Sequence, residues 1–208
     1  LMLNNHFPKV VNNQYKKKYN SLYSNPINGK TCVILGTGSL GGSVGELLTP
    51  LGVRVIGVNR QGKKVKGFSE IIKSVDIDNV LPKADFLYVA LPETPETKEI
   101  INKKRLKLLK KNCGIVNVGR SSAINYLALF EMLKSEEIAG AILDVFSPEP
   151  IPGNSEIWNI PNLIISPHIS ADDGKSYIKN TLSLFLNNLE CFFSNKTLNN
   201  QVNKDLGY

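Results

Sequence analysis

Val33-Ile34-Leu35-Gly36-Thr37-Gly38-Ser39-Leu40-Gly41 decides how the rest of this chain is read. Thr31–Leu35 is a short apolar run of the kind that forms a strand buried on both faces of a parallel sheet. Gly36, Gly38 and Gly41 follow it in the spacing G-x-G-x-x-G, and Leu40–Leu51 continues with helical character. In that strand–turn–helix setting the glycines serve three needs, which are a tight turn, close backbone approach to a pyrophosphate, and close packing of helix on strand. Ser39 and Leu40 then occupy the helix start, where free N–H groups and a partial positive charge favour phosphate.

Working outward, strands and helices alternate. Val53–Val58, Asp85–Ala90, Gly114–Val118, Gly140–Val145 and Leu163–Ser166 read as strands. Asn102–Lys111 and Ile124–Lys134 read as helices. This alternation predicts an α/β fold of the Rossmann type, a doubly wound parallel sheet with ligands at the carboxyl ends of its strands. Residues 1–28 read as an arm or linker with a helix over 7–20, and 29–171 as the dinucleotide-binding domain. Residues 172–208 read as a helix and tail, with Ile178, Leu182, Phe185, Leu189 and Phe192 in a stripe at helical spacing.

Composition narrows the function classes. With 42% hydrophobic and 21% charged residues, the chain can bury a core. Its net charge is +7, from 25 Lys+Arg against 18 Asp+Glu. Runs such as Lys16-Lys17-Lys18 lack any aromatic-and-basic groove pattern or zinc spacing, so nucleic acid is not expected as a partner. No apolar run approaches 18 residues, so no membrane span or signal peptide is expected. Cys32, Cys113 and Cys191 are far apart and odd in number; Cys32 and Cys113 fall in predicted strands and read as small core residues in a reducing, cytoplasmic compartment. No metal site is expected.

The second strand ends Val58-Asn59-Arg60. An acid there accepts both ribose hydroxyls of NAD. Asn59 removes that charge, and Arg60 can pair with a 2′-phosphate, so NADP(H) is expected ahead of NAD(H). Further on, Arg120 follows one strand and Asp144 another. Glu149 lies in a proline-rich loop, and His168 follows Pro167 at the last strand. A cation to anchor an anionic substrate and a histidine able to exchange a proton near neutral pH suit hydride transfer to a 2-keto acid.

These segments, with Leu91-Pro92-Glu93-Thr94-Pro95-Glu96-Thr97, Ile115-Val116-Asn117-Val118-Gly119-Arg120 and the tail 203–208, resemble the D-isomer-specific 2-hydroxyacid dehydrogenases, in their glyoxylate/hydroxypyruvate reductase-like branch. The resemblance implies that Arg120 holds the substrate carboxylate and carbonyl oxygen, and that His168 gives the proton in reduction and takes it in oxidation. It implies that Glu149 hydrogen-bonds His168. It puts Leu91, Pro92 and Thr97 on the cofactor-lining loop, Val118 and Gly119 beside the nicotinamide, Asp144 near its carboxamide, and Ser170 among the cofactor contacts. It also implies a homodimer through the arm helix and the cofactor domain, with a small 2-keto or 2-hydroxy acid as substrate.

The chain departs from the family pattern at Ser121, after the arginine, at Asn125-Tyr126, where an acidic pair is usual, and at Ala171. The family's second domain also uses an N-terminal segment of about 100 residues. This chain begins at the linker helix, so most of that domain is expected to be absent, which would remove packing surface from the 178–192 stripe. A non-catalytic dinucleotide-binding fragment or scaffold is therefore the alternative reading. Formate or phosphite oxidation ranks below both.

Overall fold

The computed structural model describes residues 1–171 and 173–204, which fall into two compact units, Leu1–Pro167 and the chain from His168 onward. The first unit is built on a seven-stranded sheet in the order β3-β2-β1-β4-β5-β6-β7. The strands are β1 (Thr31–Leu35), β2 (Arg54–Asn59), β3 (Glu70–Lys73), β4 (Phe86–Val89), β5 (Gly114–Asn117), β6 (Gly140–Leu143) and β7 (Leu163–Ile165). Every pairing is parallel. The fold is thus the doubly wound α/β sheet expected, with β1 between β2 and β4, where the strand order reverses.

The central strands carry apolar residues toward both faces of the sheet, as strands buried on both sides must. Along β1, Val33 and Leu35 join the larger core, which also holds Ile56, Leu87, Ile115 and Leu143. Cys32 and Ile34 point the other way, into a smaller cluster with Val53 and Val55. The helices of this unit are α1 (Phe7–Tyr15), α2 (Ser39–Leu48), α3 (Lys103–Leu106) and α4 (Tyr126–Lys134). Burial of Leu129 and Leu133 docks α4, and the Asn125 side chain caps it by accepting from the Ala128 amide at 2.9 Å.

Several boundaries differ from the sequence reading. The arm helix stops at Tyr15 because Lys17 takes φ 52°, and its amide and that of Lys18 bond back to Gln14 and Asn13. This left-handed stop satisfies the last carbonyls. The helix expected over Asn102–Lys111 contracts to one turn, and Leu108 and Leu109 continue with bonds to the residue three back, which lets both Leu106 and Leu109 be buried. The edge strand β3 was not anticipated; its four half-buried or exposed residues carry no apolar run.

The arm packs on the amino-terminal ends of the strands. A side chain at Gly114 would meet Leu3, and one at Gly140 would meet Pro8. The buried Asn4 donates to the Asn25 carbonyl at 3.0 Å, and Lys9 pairs with Glu136.

In the second unit, α5 (Tyr177–Phe193) begins after Asp173, whose carboxylate accepts from the Lys175 and Ser176 amides. The helix expected from Asp172 thus begins later, and Asp172 itself lies outside the described residues, as do residues 205–208 of the tail. Asn188 accepts from the Asn199 amide and donates to its carbonyl, holding the tail segment to the helix. Ile178, Leu182, Phe185, Leu189 and Phe192 are exposed on it. Among the described residues, no helix is long and apolar enough to cross a membrane.

Candidate dinucleotide and anion site

The carboxyl ends of β1, β2, β4, β5 and β6 carry most of the residues singled out above. After β1, Gly36 adopts φ +88°, and a side chain on it would come within 2.5 Å of the Ala90 carbonyl oxygen. Only glycine suits that combination. A side chain on Gly41 would overlap the Gly36 carbonyl, so α2 lies directly on the turn. Gly38 is different: nothing stands within 4 Å of where its side chain would project. Gly38 is the residue before α2, no side chain caps that helix, and its first turn holds no acid. Gly38, Ser39 and Leu40 are all exposed. Open space before an uncapped helix N-terminus is a cradle that fits a phosphate group.

At the end of β2, Asn59 spends its side chain locally. Its Nδ2 donates to the Thr37 hydroxyl at 3.1 Å and to the Lys63 carbonyl at 2.9 Å, while Oδ1 accepts from the Lys63 amide at 3.1 Å. The amide therefore shapes the loop into which the exposed Arg60 projects. The Glu96 carboxyl is held below its ordinary range, first by its own backbone amide, then by the Thr94 hydroxyl, with the charge of Arg60 adding to the effect.

After β4, Leu91 and Pro92 lead into a turn closed by Thr97, whose hydroxyl donates to the Pro92 carbonyl at 2.7 Å and accepts from the Thr94 amide at 2.8 Å. Gly119 lies against this segment: a side chain there would come within 2.5 Å of the Leu91 carbonyl oxygen. The structure so brings Gly36, Leu91, Val118 and Gly119 to adjacent strand ends.

After β5, the fully buried Asn117 shapes the turn that carries Arg120. Its Oδ1 accepts from the Gly119 amide at 3.0 Å and its Nδ2 donates to the Arg120 carbonyl at 3.0 Å. The Arg120 side chain is exposed, donates to the Gly119 carbonyl at 2.8 Å, and meets no carboxylate among the described residues. After β6, Asp144 is buried and accepts a hydrogen bond from the Ser166 hydroxyl at the end of β7. Its amide donates to the Asn117 carbonyl at 3.0 Å. Glu149 is exposed, and its Oε1 accepts from the Phe146 amide at 2.6 Å.

His168 and Ser170 belong to the second unit, where both are exposed, and His168 has φ 56°. Sequence reasoning gave no role to Thr37, Tyr126 or Ser166, and treated Asn117 only as part of a motif. A polar residue closing a buried strand was the available signal, since such a group must find partners. Among the described residues, no group of three or more His, Cys, Asp and Glu side chains is placed to hold a metal ion.

The parallel sheet, with its glycine turn at the point where the strand order reverses, defines a doubly wound dinucleotide-type domain, and the exposed Arg120 stands two strands away from that turn. Residues 1–170 match the D-isomer specific 2-hydroxyacid dehydrogenase, NAD binding domain, and the chain belongs to that family. It is 32% identical over 185 residues to the glyoxylate reductase of Aeropyrum pernix, covering 86% of this chain and 53% of that protein. The D-isomer specific 2-hydroxyacid dehydrogenase of Xanthobacter autotrophicus Py2, solved with NADPH and MES, superposes with a TM-score of 0.90 at 26% identity, covering 100% of this chain and 84% of that one. The NADPH-dependent glyoxylate/hydroxypyruvate reductase of Sinorhizobium meliloti, solved with NADP and sulfate, gives 0.89 at 28% identity, covering 100% and 66%. The chain spans about half the length of the curated relatives it matches.

Proposed function

We propose that this chain is the cofactor-binding part of an NADP(H)-dependent oxidoreductase that interconverts a small 2-keto acid, of the glyoxylate or hydroxypyruvate type, and its D-2-hydroxy acid. One observation carries the reading. The uncapped N-terminus of α2 follows β1, and the exposed Arg120 follows β5, with only β4 between these strands. Two strand spacings amount to about 10 Å, so phosphate and substrate carboxylate have separate cationic sites along one sheet edge. The NADPH and NADP complexes of the similar structures, and the reductase activity named for the relatives, support it.

In this reading Gly36, Gly38, Ser39 and Leu40 receive the pyrophosphate, and Arg60 with the Asn59 loop receives the 2′-phosphate. Leu91, Pro92, Thr97, Val118, Gly119 and Asp144 line the nicotinamide end, with Ser170 as a further contact. Bound there, the nicotinamide supplies or accepts the hydride. Arg120 binds the substrate carboxylate and stabilises negative charge as it develops on the carbonyl oxygen. His168 delivers the proton to that oxygen in reduction and removes it in oxidation, and the Glu149 carboxylate assists by favouring the charged imidazole.

The protein works as an isologous homodimer in a reducing, cytoplasmic compartment, in keeping with three unpaired thiols. The second reading is a dinucleotide-binding module without turnover. NADPH titration followed by glyoxylate addition separates the two. Binding with turnover that vanishes in His168→Ala supports the reductase; binding without turnover supports the module; no binding of either cofactor sinks both.

A further inference from the structure

Tyr126 stands in the first turn of α4 and belongs to none of the groups assigned so far. Its hydroxyl accepts from Asn117 Nδ2 at 3.0 Å and donates to the Val145 carbonyl at 2.8 Å. Those two bonds use its single donor and one of its lone pairs. Asn117 holds the Arg120 turn from the other side, through the Gly119 amide and the Arg120 carbonyl. Val145 is followed by Phe146, whose ring meets the Tyr126 ring edge-on at 5.9 Å and whose amide holds Glu149. A continuous chain of bonds therefore runs from the backbone of Arg120 through Asn117 and the Tyr126 hydroxyl to the loop that carries Glu149.

We infer that the Tyr126 hydroxyl is a positioning group that clamps the Arg120 turn to the Glu149 loop and so sets where the substrate anion is held. The inference rests on the reductase reading for its consequence, and on the hydrogen bonds alone for its geometry. The backbone bond from the Asp144 amide to the Asn117 carbonyl joins the same two strands just before the loops begin, and the hydroxyl extends that link outward. Replacing Tyr126 by Phe keeps the ring against Phe130 and Phe146 but leaves one N–H of the buried Asn117 and the Val145 carbonyl without this partner. Each loop is then free to shift by itself, and small displacements of substrate-holding groups are costly to rate. The glycine turn is held instead from β2, through the bond of Asn59 to the Thr37 hydroxyl.

Tyr126→Phe tests the clamp in two independent ways. With NADPH and glyoxylate, kcat/KM is expected to fall roughly tenfold, chiefly through KM, while the Kd for NADPH stays within about twofold. By amide hydrogen exchange, Gly119 and Phe146 are both expected to exchange about tenfold faster, with the amides of β1 unchanged. An unchanged KM in an active enzyme overturns the inference, as does faster exchange confined to α4, or a variant that does not fold. Absence of wild-type turnover counts against the reductase reading alone, and the exchange measurement then decides the clamp.

Discussion

Asn59 Nδ2 donates to the Thr37 hydroxyl at 3.1 Å, tying the end of β2 to the turn that follows β1. The two elements proposed to receive the cofactor, the glycine turn for its pyrophosphate and the Asn59 loop for its 2′-phosphate, are thereby one piece. Asn59→Asp keeps the acceptor for the Lys63 amide, loses the donation to Thr37, and adds a negative charge where the 2′-phosphate is proposed to lie. Fluorescence titration is expected to show NADPH affinity falling about tenfold or more relative to NADH. Arg60→Ala is expected to weaken NADPH by a similar factor and NADH by less than about twofold. Equal losses for both cofactors would refute the phosphate assignment.

Two glycines separate folding from binding. Gly36→Ala meets both a left-handed backbone and the Ala90 carbonyl, and is expected to cost about 2 kcal/mol or more in urea unfolding. Gly38→Ala projects into open space, so its stability should stay within about 0.5 kcal/mol of the parent. Its NADPH affinity should nonetheless drop, since the methyl group enters the phosphate cradle. An unaltered NADPH Kd in Gly38→Ala would place the phosphate elsewhere.

Alkaline pH should weaken the fold. Burial pushes the Cys32 thiol from 9.0 up to about 12, and raises Cys113 and Tyr126 as well. The unfolded chain gives up these protons from about pH 9 for the thiols and 10 for the phenol, while the folded chain still holds them. Above pH 9 the unfolded state therefore binds fewer protons, and stability present at neutral pH is lost as pH rises, by up to about 1.4 kcal/mol per pH unit for each such group. Urea midpoints at pH 8, 9 and 10 should decline with increasing slope, and less so in Cys32→Ala compared with its own value at pH 8. A flat series contradicts the burial argument.

Asp85 accepts from the Thr31 amide and from Lys110 Nζ, both at 2.8 Å, at the amino-terminal end of β1. Asp85→Ala strands a backbone N–H at the start of the central strand and should cost about 1–3 kcal/mol. Lys110→Ala removes only a partly exposed partner and should cost at most about 1 kcal/mol. Chemical denaturation of the two variants tests the ordering; a Lys110 variant at least as damaging as the Asp85 one would reverse it.

The parallel sheet was legible because strands buried on both faces must be apolar throughout, and because Gly36 and Gly41 mark places where backbone approaches backbone. The edge strand β3 was not, since Glu70–Lys73 is too short and too exposed to write a pattern. The placement of Gly38 and Arg120 just past strand ends followed from the alternation of elements. The use made of Asn59 did not: a missing charge was visible in the sequence, but not that its amide is engaged by Thr37 and Lys63. The Tyr126 bridge was hidden for a related reason. Its partners lie nine and nineteen residues away, and helical periodicity tells which face a residue occupies, not what its hydroxyl reaches.

The seating of Leu3 and Pro8 against Gly114 and Gly140 has a practical consequence. In a parallel sheet all strands start at one edge and finish at the other, and the arm occupies the starting edge of β5 and β6. A four-residue strand measures about 13 Å, so that distance separates the arm's anchorage from the ends that carry Arg120 and Asp144. Attachment to a sensor surface through the arm would thus hold the sheet by the rim far from the strand ends proposed to receive the cofactor.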